Sequence, residues 1–308
     1  MRAIAYSEFG SADVLSLTDL PDPHAGPDSM VVEVRAAGLN PVDYKIRQGH
    51  LDGLIDTHFP AVPGWDVSGV VVESGLDTPE FSVGDEVFAY ARKDVVAGGT
   101  LAERVAVPVR TAALKPAALD HEQAASVPLA GLTALQVLRR LGVTKDSCVL
   151  IHGASGGVGS FAVQIARHLG AHVVGTASDR NHDYVCDLGA DHVTYGEGLV
   201  ERALRSCPTG FDVIADFAGG SSLDNTVALL SPTGVVGSIA DPRARTEFGG
   251  HYIWVRPDAS DLAHLARLID DGHVNVHLDG VYPLQRAADA YRELEGGHTR
   301  GKIVVTIP

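Results

Sequence analysis

Hydrophobic and polar positions fall into two regimes along this chain. Up to residue 115 the apolar residues come in short β-type runs, Arg2–Tyr6, Met30–Ala37, Val67–Ser74, Glu86–Ala89 and Thr100–Val107, separated by glycine and proline turns. That spacing predicts a small, mostly antiparallel, barrel-like domain. Asn40–Gly49 interrupts it as a short helix, with Asn40 able to cap, Pro41 suited to the first turn and Gly49 ending it. Around residues 110–130 the chain passes to a centre of different rhythm, where Ala124, Ala125, Val127, Leu129 and Leu132 begin helical material.

The centre alternates strand and helix. Cys148–His152 is a short apolar run of the kind found in buried parallel strands, and Val158, Ala162, Ile165 and Leu169 then line one face of a 3.6-residue period. Gly170 stops that helix, and Ala171–Thr176 forms a second apolar strand. Helices near 181–188 and 198–205, a strand at 191–194 and a strand Phe211–Asp216 follow. A helix Ser222–Leu230 and a strand Gly234–Ile239 complete two βαβ halves of a doubly wound sheet. The tail carries apolar stretches at Leu262–Ile269 and Pro283–Leu294, then a closing strand, Lys302–Ile307, expected to return to the first domain.

Between the first two strands of the centre lies Gly153-Ala154-Ser155-Gly156-Gly157-Val158-Gly159. Strand, glycine turn, helix and strand within about 30 residues form the context of a dinucleotide fingerprint. A diphosphate must approach the amides of a helix N-terminus, and side chains at the nearest points would block it. Gly156 and Gly157 remove that obstacle, while Gly159 lets the helix pack on the strand. Ser155, Gly156, Gly157 and Val158 are therefore the expected diphosphate contacts.

The end of the second strand separates NAD from NADP. An acid there would hold a ribose 2′-hydroxyl and repel a 2′-phosphate. Here the strand gives way to Ser178-Asp179-Arg180. Ser178 and Arg180 can donate to a 2′-phosphate, and a charge-assisted hydrogen bond contributes roughly 1.5–3 kcal/mol. NADPH is the expected cofactor. Asp179 is the discordant residue, since a small shift of the turn would aim it at the ribose, and Arg180 can equally be read as a solvated side chain of the next helix.

Composition narrows the function further. The chain has 308 residues, a length suited to two domains, with 45% hydrophobic and 20% charged residues. A net charge of −15 with scattered acids argues against nucleic-acid or anionic-membrane partners. Three cysteines make no disulfide framework, and Cys148, Cys186 and Cys207 match no zinc-module spacing. The opening MRAIAYSEFG lacks the apolar core of a signal peptide, so the cytoplasm is the expected compartment.

These residues carry a resemblance. The chain resembles medium-chain dehydrogenases/reductases, in the zinc-independent branch of quinone oxidoreductases (ζ-crystallin-like) and enone or alkenal reductases. The carriers are Gly38–Lys45, Pro63–Val71, Phe81–Val87, Pro128–Ala134, the glycine turn and Gly301–Val305. The resemblance implies an α/β chain: a GroES-like, β-barrel-type catalytic domain at 1–120, completed by 257–308, and a doubly wound Rossmann NADP-binding domain at 121–256. It also implies a homodimer, paired near His251–Arg256.

The resemblance also bears on metal. Zinc alcohol dehydrogenases carry a catalytic cysteine near Gly38–Asn40 and a Gly-His-Glu after the proline matching Pro63. Here those places read Asn40 and Gly64-Trp65-Asp66, and no four-cysteine lobe is present. No metal site and no zinc are expected. Acceptors that already carry a conjugated system, quinones and α,β-unsaturated carbonyls, then become the expected small-molecule substrates, because no Lewis acid polarises a simple carbonyl. The anion formed by hydride addition needs hydrogen-bond donors.

Candidate donors lie on the helix at 40–49. By resemblance, Lys45 contacts the cofactor near the nicotinamide, and Asn40 and Tyr44 could face the same cleft. Each has a plainer reading: Asn40 as a helix cap, Tyr44 as a core aromatic, Lys45 as a solvated side chain. Also by resemblance, Thr133 lies near the nicotinamide, Tyr195 by the adenosine 2′-phosphate, and His298 and Arg300 in a C-terminal cofactor stretch. Phe217 and Ile239 end parallel strands on the carboxyl side, where such sheets bind ligands. Residues 50–62 and 241–256 are expected to line the pocket that sets the substrate. Two other functions fit the same residues, a nucleotide-binding homologue with little turnover and a reductase tailored to one metabolite.

Overall fold

A computed structural model describes residues 1–308, which resolve into two compact units. The first comprises Met1–Leu132, Pro257–Asp271 and Val276–Pro308, the second Thr133–Arg256 and Gly272–Asn275.

The first unit is built on a seven-stranded sheet around the long strand Ser29–Gly38. One side of that strand pairs antiparallel with Asp66–Ser74, which pairs in turn with Glu86–Tyr90 and then Ala112–Leu114. The other side is shared. Arg104–Pro108 takes its first half, Ser29–Glu33, and Lys302–Thr306 takes its last, Ala36–Gly38. The closing strand thus returns to the first unit, as its apolar pattern predicts. Register shifts at Val31/Val32 and Val34/Ala36 bend the central strand, which curves the sheet around its core. Gly69 permits the close approach, because a Cβ there would lie 2.1 Å from the Glu33 carbonyl oxygen.

Two differences from the sequence pattern stand out here. The strand Leu278–Pro283 pairs parallel with Lys302–Thr306, although its alternating half-exposed LDGVYP carries no apolar run. The expected run Thr100–Val107 contributes only Arg104–Pro108 to the sheet. Its leading residues turn away so that Leu101 and Glu103 can accept backbone bonds from Ile4 and Val34.

The helix Pro41–Arg47 is anchored by its last residue. Arg47 is fully buried and donates to the Gly10 carbonyl at 3.2 Å and to Glu295 at 2.5 Å, with its guanidinium 5.2 Å from the Tyr291 ring centroid.

The second unit is a six-stranded parallel sheet. In space its strands run Asp191–Thr194, His172–Ala177, Cys148–His152, Phe211–Asp216, Leu230–Ser238 and His251–Tyr252. Numbered in chain order this is 3-2-1-4-5-6, the doubly wound arrangement with its switch point between Cys148–His152 and Phe211–Asp216. Leu150, Val174, Ile214 and Val236 send one apolar row into a core closed by Leu199, Ala203, Leu223 and Leu229. Burying each such side chain contributes about 1.5–3 kcal/mol.

The helix expected at Ser222–Leu230 is instead a 3-10 turn, Gly220–Leu223, and a single turn, Thr226–Leu229. Ser222 gives its hydroxyl to the Gly219 carbonyl at 3.0 Å, a local side-chain-to-backbone bond that competes with helix continuation. Although three cysteines make no framework, two of them do pair, Cys148 with Cys207. No helix is long and apolar enough to cross a membrane.

Candidate nucleotide and catalytic sites

In the second unit, the first strand ends at His152 and Gly153 turns the chain with φ +74°. Gly156 caps the helix Gly157–His168, whose first amides have no carbonyl behind them. Gly159 is where the turn is tightest: a Cβ there would lie 2.1 Å from the Gly153 oxygen and 2.8 Å from the Ala154 Cα. Ala154 and Gly159 are buried beneath the turn, while Ser155, Gly156, Gly157 and Val158 remain half-exposed above it. The turn therefore offers an accessible row of amides at the positive end of a helix dipole, an arrangement that fits a diphosphate.

The end of the second strand lies beside this turn. Asn181 donates to Ser155 Oγ at 3.0 Å and to Ser178 Oγ at 3.3 Å, holding both hydroxyls in place. Sequence reading passed over Asn181, because an asparagine in a turn carries no signal of its own. Asp179, the discordant acid, accepts the hydroxyl of Thr194 from the neighbouring strand. Arg180 is exposed, as is Tyr195, which follows Thr194 in a strand whose register sets Ala177 opposite Thr194. Ser178, Arg180 and Tyr195 thus share one edge of the sheet.

Further along the carboxyl ends, Asp216 is fully buried and accepts from the amides of Ala218 and Gly219 and from the hydroxyls of Ser222 and Ser238. This carboxylate fixes the two strand ends from which Phe217 and Ile239 emerge, both half-buried. His152 is buried next to it, with Nδ1 3.1 Å from the Thr176 hydroxyl and Nε2 without a partner. Burial holds its imidazole below the usual histidine range, with the Asp216 charge acting the other way. Thr133 is buried on the helix Pro128–Arg140.

In the first unit, Asn40 leads to a cluster that sequence reading did not assemble. Its Nδ2 donates to Asp66 at 2.9 Å, and its Oδ1 accepts from the Lys302 ammonium at 2.5 Å. Lys302 also donates to the Leu39 carbonyl at 2.6 Å. Asp66 accepts the Leu129 amide at 2.9 Å, and Asp43 accepts the Asn40 amide at 2.8 Å. All four polar side chains are buried. Asp43 reaches back to the Asn40 amide in a capping box at the start of the helix, and the Asn40 side chain also bonds Asp66 and Lys302.

Burial dominates the electrostatics of this cluster. It pushes the Asp43 carboxyl up to about 7, reinforced by Asp66 and opposed by the Asn40 amide and the Lys302 and Arg47 charges. It pushes Asp66 up to about 6 against the same lysine and the Asn40 side chain. It draws the Lys302 ammonium down, while the two carboxylates hold it up.

The remaining candidates have these places. Tyr44 packs half-buried against the core of the first unit, its hydroxyl pushed up by burial and by Glu295. Lys45 is exposed on the helix Pro41–Arg47. His298 is exposed and Arg300 half-exposed in the segment before Lys302–Thr306, where the Arg300 amide donates to Asp279.

Comparison with known proteins agrees with this architecture. Residues 26–117 match the alcohol dehydrogenase GroES-like domain family, and residues 188–305 match a family described as zinc-binding dehydrogenase. The chain is 36% identical to the NADPH-dependent alkenal/one oxidoreductase of Arabidopsis thaliana, across 99% of this chain and 79% of that protein. It is 33% identical to the chloroplast envelope quinone oxidoreductase homolog of the same plant, across 99% and 98%. The solved quinone oxidoreductase of Coxiella burnetii superposes with a TM-score of 0.89 at 33% identity, covering 100% of this chain and 99% of that one. A GroES-like unit, a doubly wound nucleotide-binding unit and relatives of this kind leave one assignment: the chain is an oxidoreductase belonging to the medium-chain dehydrogenase/reductase family, in the branch of quinone oxidoreductases and alkenal reductases.

Proposed function

We infer that this chain is an NADPH-dependent reductase of quinones or α,β-unsaturated carbonyls, working without a catalytic zinc. The observation that carries the reading is the buried Asn40–Asp66–Lys302 cluster. Asn40 and Trp65 stand where zinc alcohol dehydrogenases carry their cysteine and histidine ligands, and the cation held by Asn40 here is the Lys302 ammonium. An amide oxygen already bonded to Lys302 has little to offer a metal, so the residues do not fit a catalytic zinc.

The residues of the second unit fit the dinucleotide. The amides at Gly157 and Val158 would take the diphosphate, with Ser155 held by Asn181. Ser178 and Arg180 would donate to the 2′-phosphate, and the engagement of Asp179 by Thr194 removes the competing acid. When bound, NADPH supplies the hydride. The protein orients the acceptor and stabilises the enolate or hydroquinone anion that forms. Lys45, the exposed cation of the helix Pro41–Arg47, is the donor we assign to that anion, with Tyr44 beside it. Asn40 acts indirectly, fixing the start of that helix through Asp66 and Lys302.

The chain is also proposed to form a homodimer through the edge strand His251–Tyr252. This strand has a neighbour on one side only, and Tyr252 and Trp254 are each about two-fifths exposed. Sedimentation at micromolar concentration tests this, and a monomer would overturn it.

The activity is tested by following NADPH oxidation with chelator-treated protein, offered benzoquinone, phenanthrenequinone, an alkenal, an alkyl vinyl ketone and a simple ketone. Turnover on the conjugated acceptors with none on the ketone is expected. Tight NADPH binding without turnover on any of them would overturn the reading in favour of a nucleotide-binding homologue or a narrowly tailored enzyme.

A further inference from the structure

At the end of the second unit's sheet opposite the glycine turn, three side chains converge. Cys148 and His172 begin adjacent parallel strands and are direct register partners. Cys207 caps the C-terminus of the helix Leu199–Ser206 and is buried. His172 Nδ1 lies 3.7 Å from Cys148 Sγ and 3.6 Å from Cys207 Sγ. Its other nitrogen, Nε2, lies 3.0 Å from an Asp191 carboxylate oxygen. Nothing in the hydride chemistry uses these groups.

We propose that Cys148, Cys207 and His172 form a soft-metal site, a Cys2His centre taken by Zn2+ when the two sulfurs are reduced. The geometry carries it. A tetrahedral ion with bonds of about 2.3 Å to sulfur and about 2.0–2.1 Å to nitrogen sets nitrogen and sulfur about 3.6 Å apart. Both Nδ1–Sγ separations have that length. Two thiolates on such an ion stand about 3.8 Å apart. The Cα atoms of Cys148 and Cys207 are 6.7 Å apart, at the wide end of what a disulfide spans, which leaves the sulfurs room to separate.

The second shell selects the correct nitrogen. An ionised carboxylate only accepts, so Asp191 fixes the proton on Nε2 and leaves the Nδ1 lone pair aimed at the two sulfurs. His172 is exposed and Cys148 half-exposed, so a metal can enter from solvent and water can complete the fourth position.

The disulfide and the metal are alternatives. A phosphine reductant opens the S–S bond, taking oxygen from water to become the phosphine oxide, while each sulfur gains a proton. Zn2+ then displaces those two protons and binds two thiolates, one neutral imidazole and one water. The bound ion would join the first two strands to the end of the helix Leu199–Ser206.

The test is a Co2+ titration of the full chain, with and without phosphine treatment. Reduced protein, with three titratable thiols, should take one Co2+ per chain with a thiolate charge-transfer band and tetrahedral visible bands, both lost on adding Zn2+. Oxidised protein, with only Cys186 free, should show no band. Cys148→Ser and Cys207→Ser should abolish the band, and Asp191→Asn should weaken Co2+ affinity by roughly 10–100-fold. If the buried Cys207 variant fails to fold, the exposed His172→Ala keeps the question open to measurement, with at least a tenfold loss expected. Fully reduced wild-type protein without a band would overturn the proposal. So would a band that survives Cys148→Ser and disappears in Cys186→Ser.

Discussion

Lys302 donates its ammonium to the side-chain oxygen of Asn40 at 2.5 Å, joining the last strand of the chain to the start of the helix Pro41–Arg47. The charge is fully enclosed, and the two carboxylates nearby, Asp43 and Asp66, are enclosed with it. Removing the cation should therefore cost far more than removing an exposed lysine. Lys302→Met is expected to destabilise the first unit by about 3–5 kcal/mol, because it leaves buried acids uncompensated. Adding Asp66→Asn should restore part of that loss. Urea unfolding of the single and double variants measures it, and equal stability of wild type and Lys302→Met would remove the cluster from the account.

The same acids give a pH dependence whose sign follows from their shifts. Asp43 at about 7 and Asp66 at about 6 both lie above the ordinary carboxylate value of 3.8. The folded state therefore holds protons that the unfolded state has released between these limits. Stability from these groups is fully present below pH ~4 and is lost as pH rises through about 6–7. Asp43→Asn should flatten the fall in stability between pH 4 and 7 relative to wild type, and an unchanged slope would show that the carboxyl is not buried in solution.

At the nucleotide end, Arg180 and Ser178 share a sheet edge with Tyr195, and Asp179 is turned toward Thr194. Arg180→Ala should raise the NADPH dissociation constant about ten- to hundredfold, the worth of one charge-assisted bond, and leave NADH binding nearly unchanged. Fluorescence titration with both cofactors separates the outcomes. Equal losses would mark a distortion of the turn rather than a lost phosphate contact.

Gly159 tests the tightness of the turn itself. Gly159→Ala places a Cβ 2.1 Å from a backbone oxygen that cannot move without disturbing Gly153. A destabilisation of at least about 1–3 kcal/mol is expected, together with loss of NADPH binding. Gly156→Ala, whose nearest neighbour would lie at 3.4 Å, should fold normally.

Periodicity exposed most of this fold because most of its elements carry a local apolar pattern or are bounded by glycine turns. The strands Asp191–Thr194 and Phe211–Asp216 and the helix after the glycine turn are local patterns, and local patterns are legible. Leu278–Pro283 escaped because it is a half-exposed edge strand, stabilised by its partner more than by its own residues. The sites divide in the same way. The phosphate turn is contiguous in sequence and was readable. The Asn40–Asp66–Lys302 cluster and the Cys148–His172–Cys207 group each draw on three distant segments, so only the register of the sheets reveals them. A lysine just ahead of the apolar run Ile303-Val304-Val305 was the available clue, since a charge entering a buried strand requires a partner.

The role of Lys45 can be separated from that of the buried residues around it. It is exposed, so Lys45→Ala should leave unfolding within about 0.5 kcal/mol of wild type. A group that stabilises the anion formed during reduction acts in the transition state and little in the ground state. Its loss should then lower kcat and kcat/KM together, about tenfold or more, with a much smaller change in NADPH affinity. Lys45→Arg keeps a donor and a charge and should recover part of the rate, provided the longer side chain still reaches the acceptor. Single-turnover reduction of benzoquinone, compared with equilibrium NADPH binding, distinguishes the two effects. An unchanged single-turnover rate in Lys45→Ala would assign this lysine to the solvated surface and move the search for the donor to Tyr44, the half-buried hydroxyl one residue earlier on the same helix.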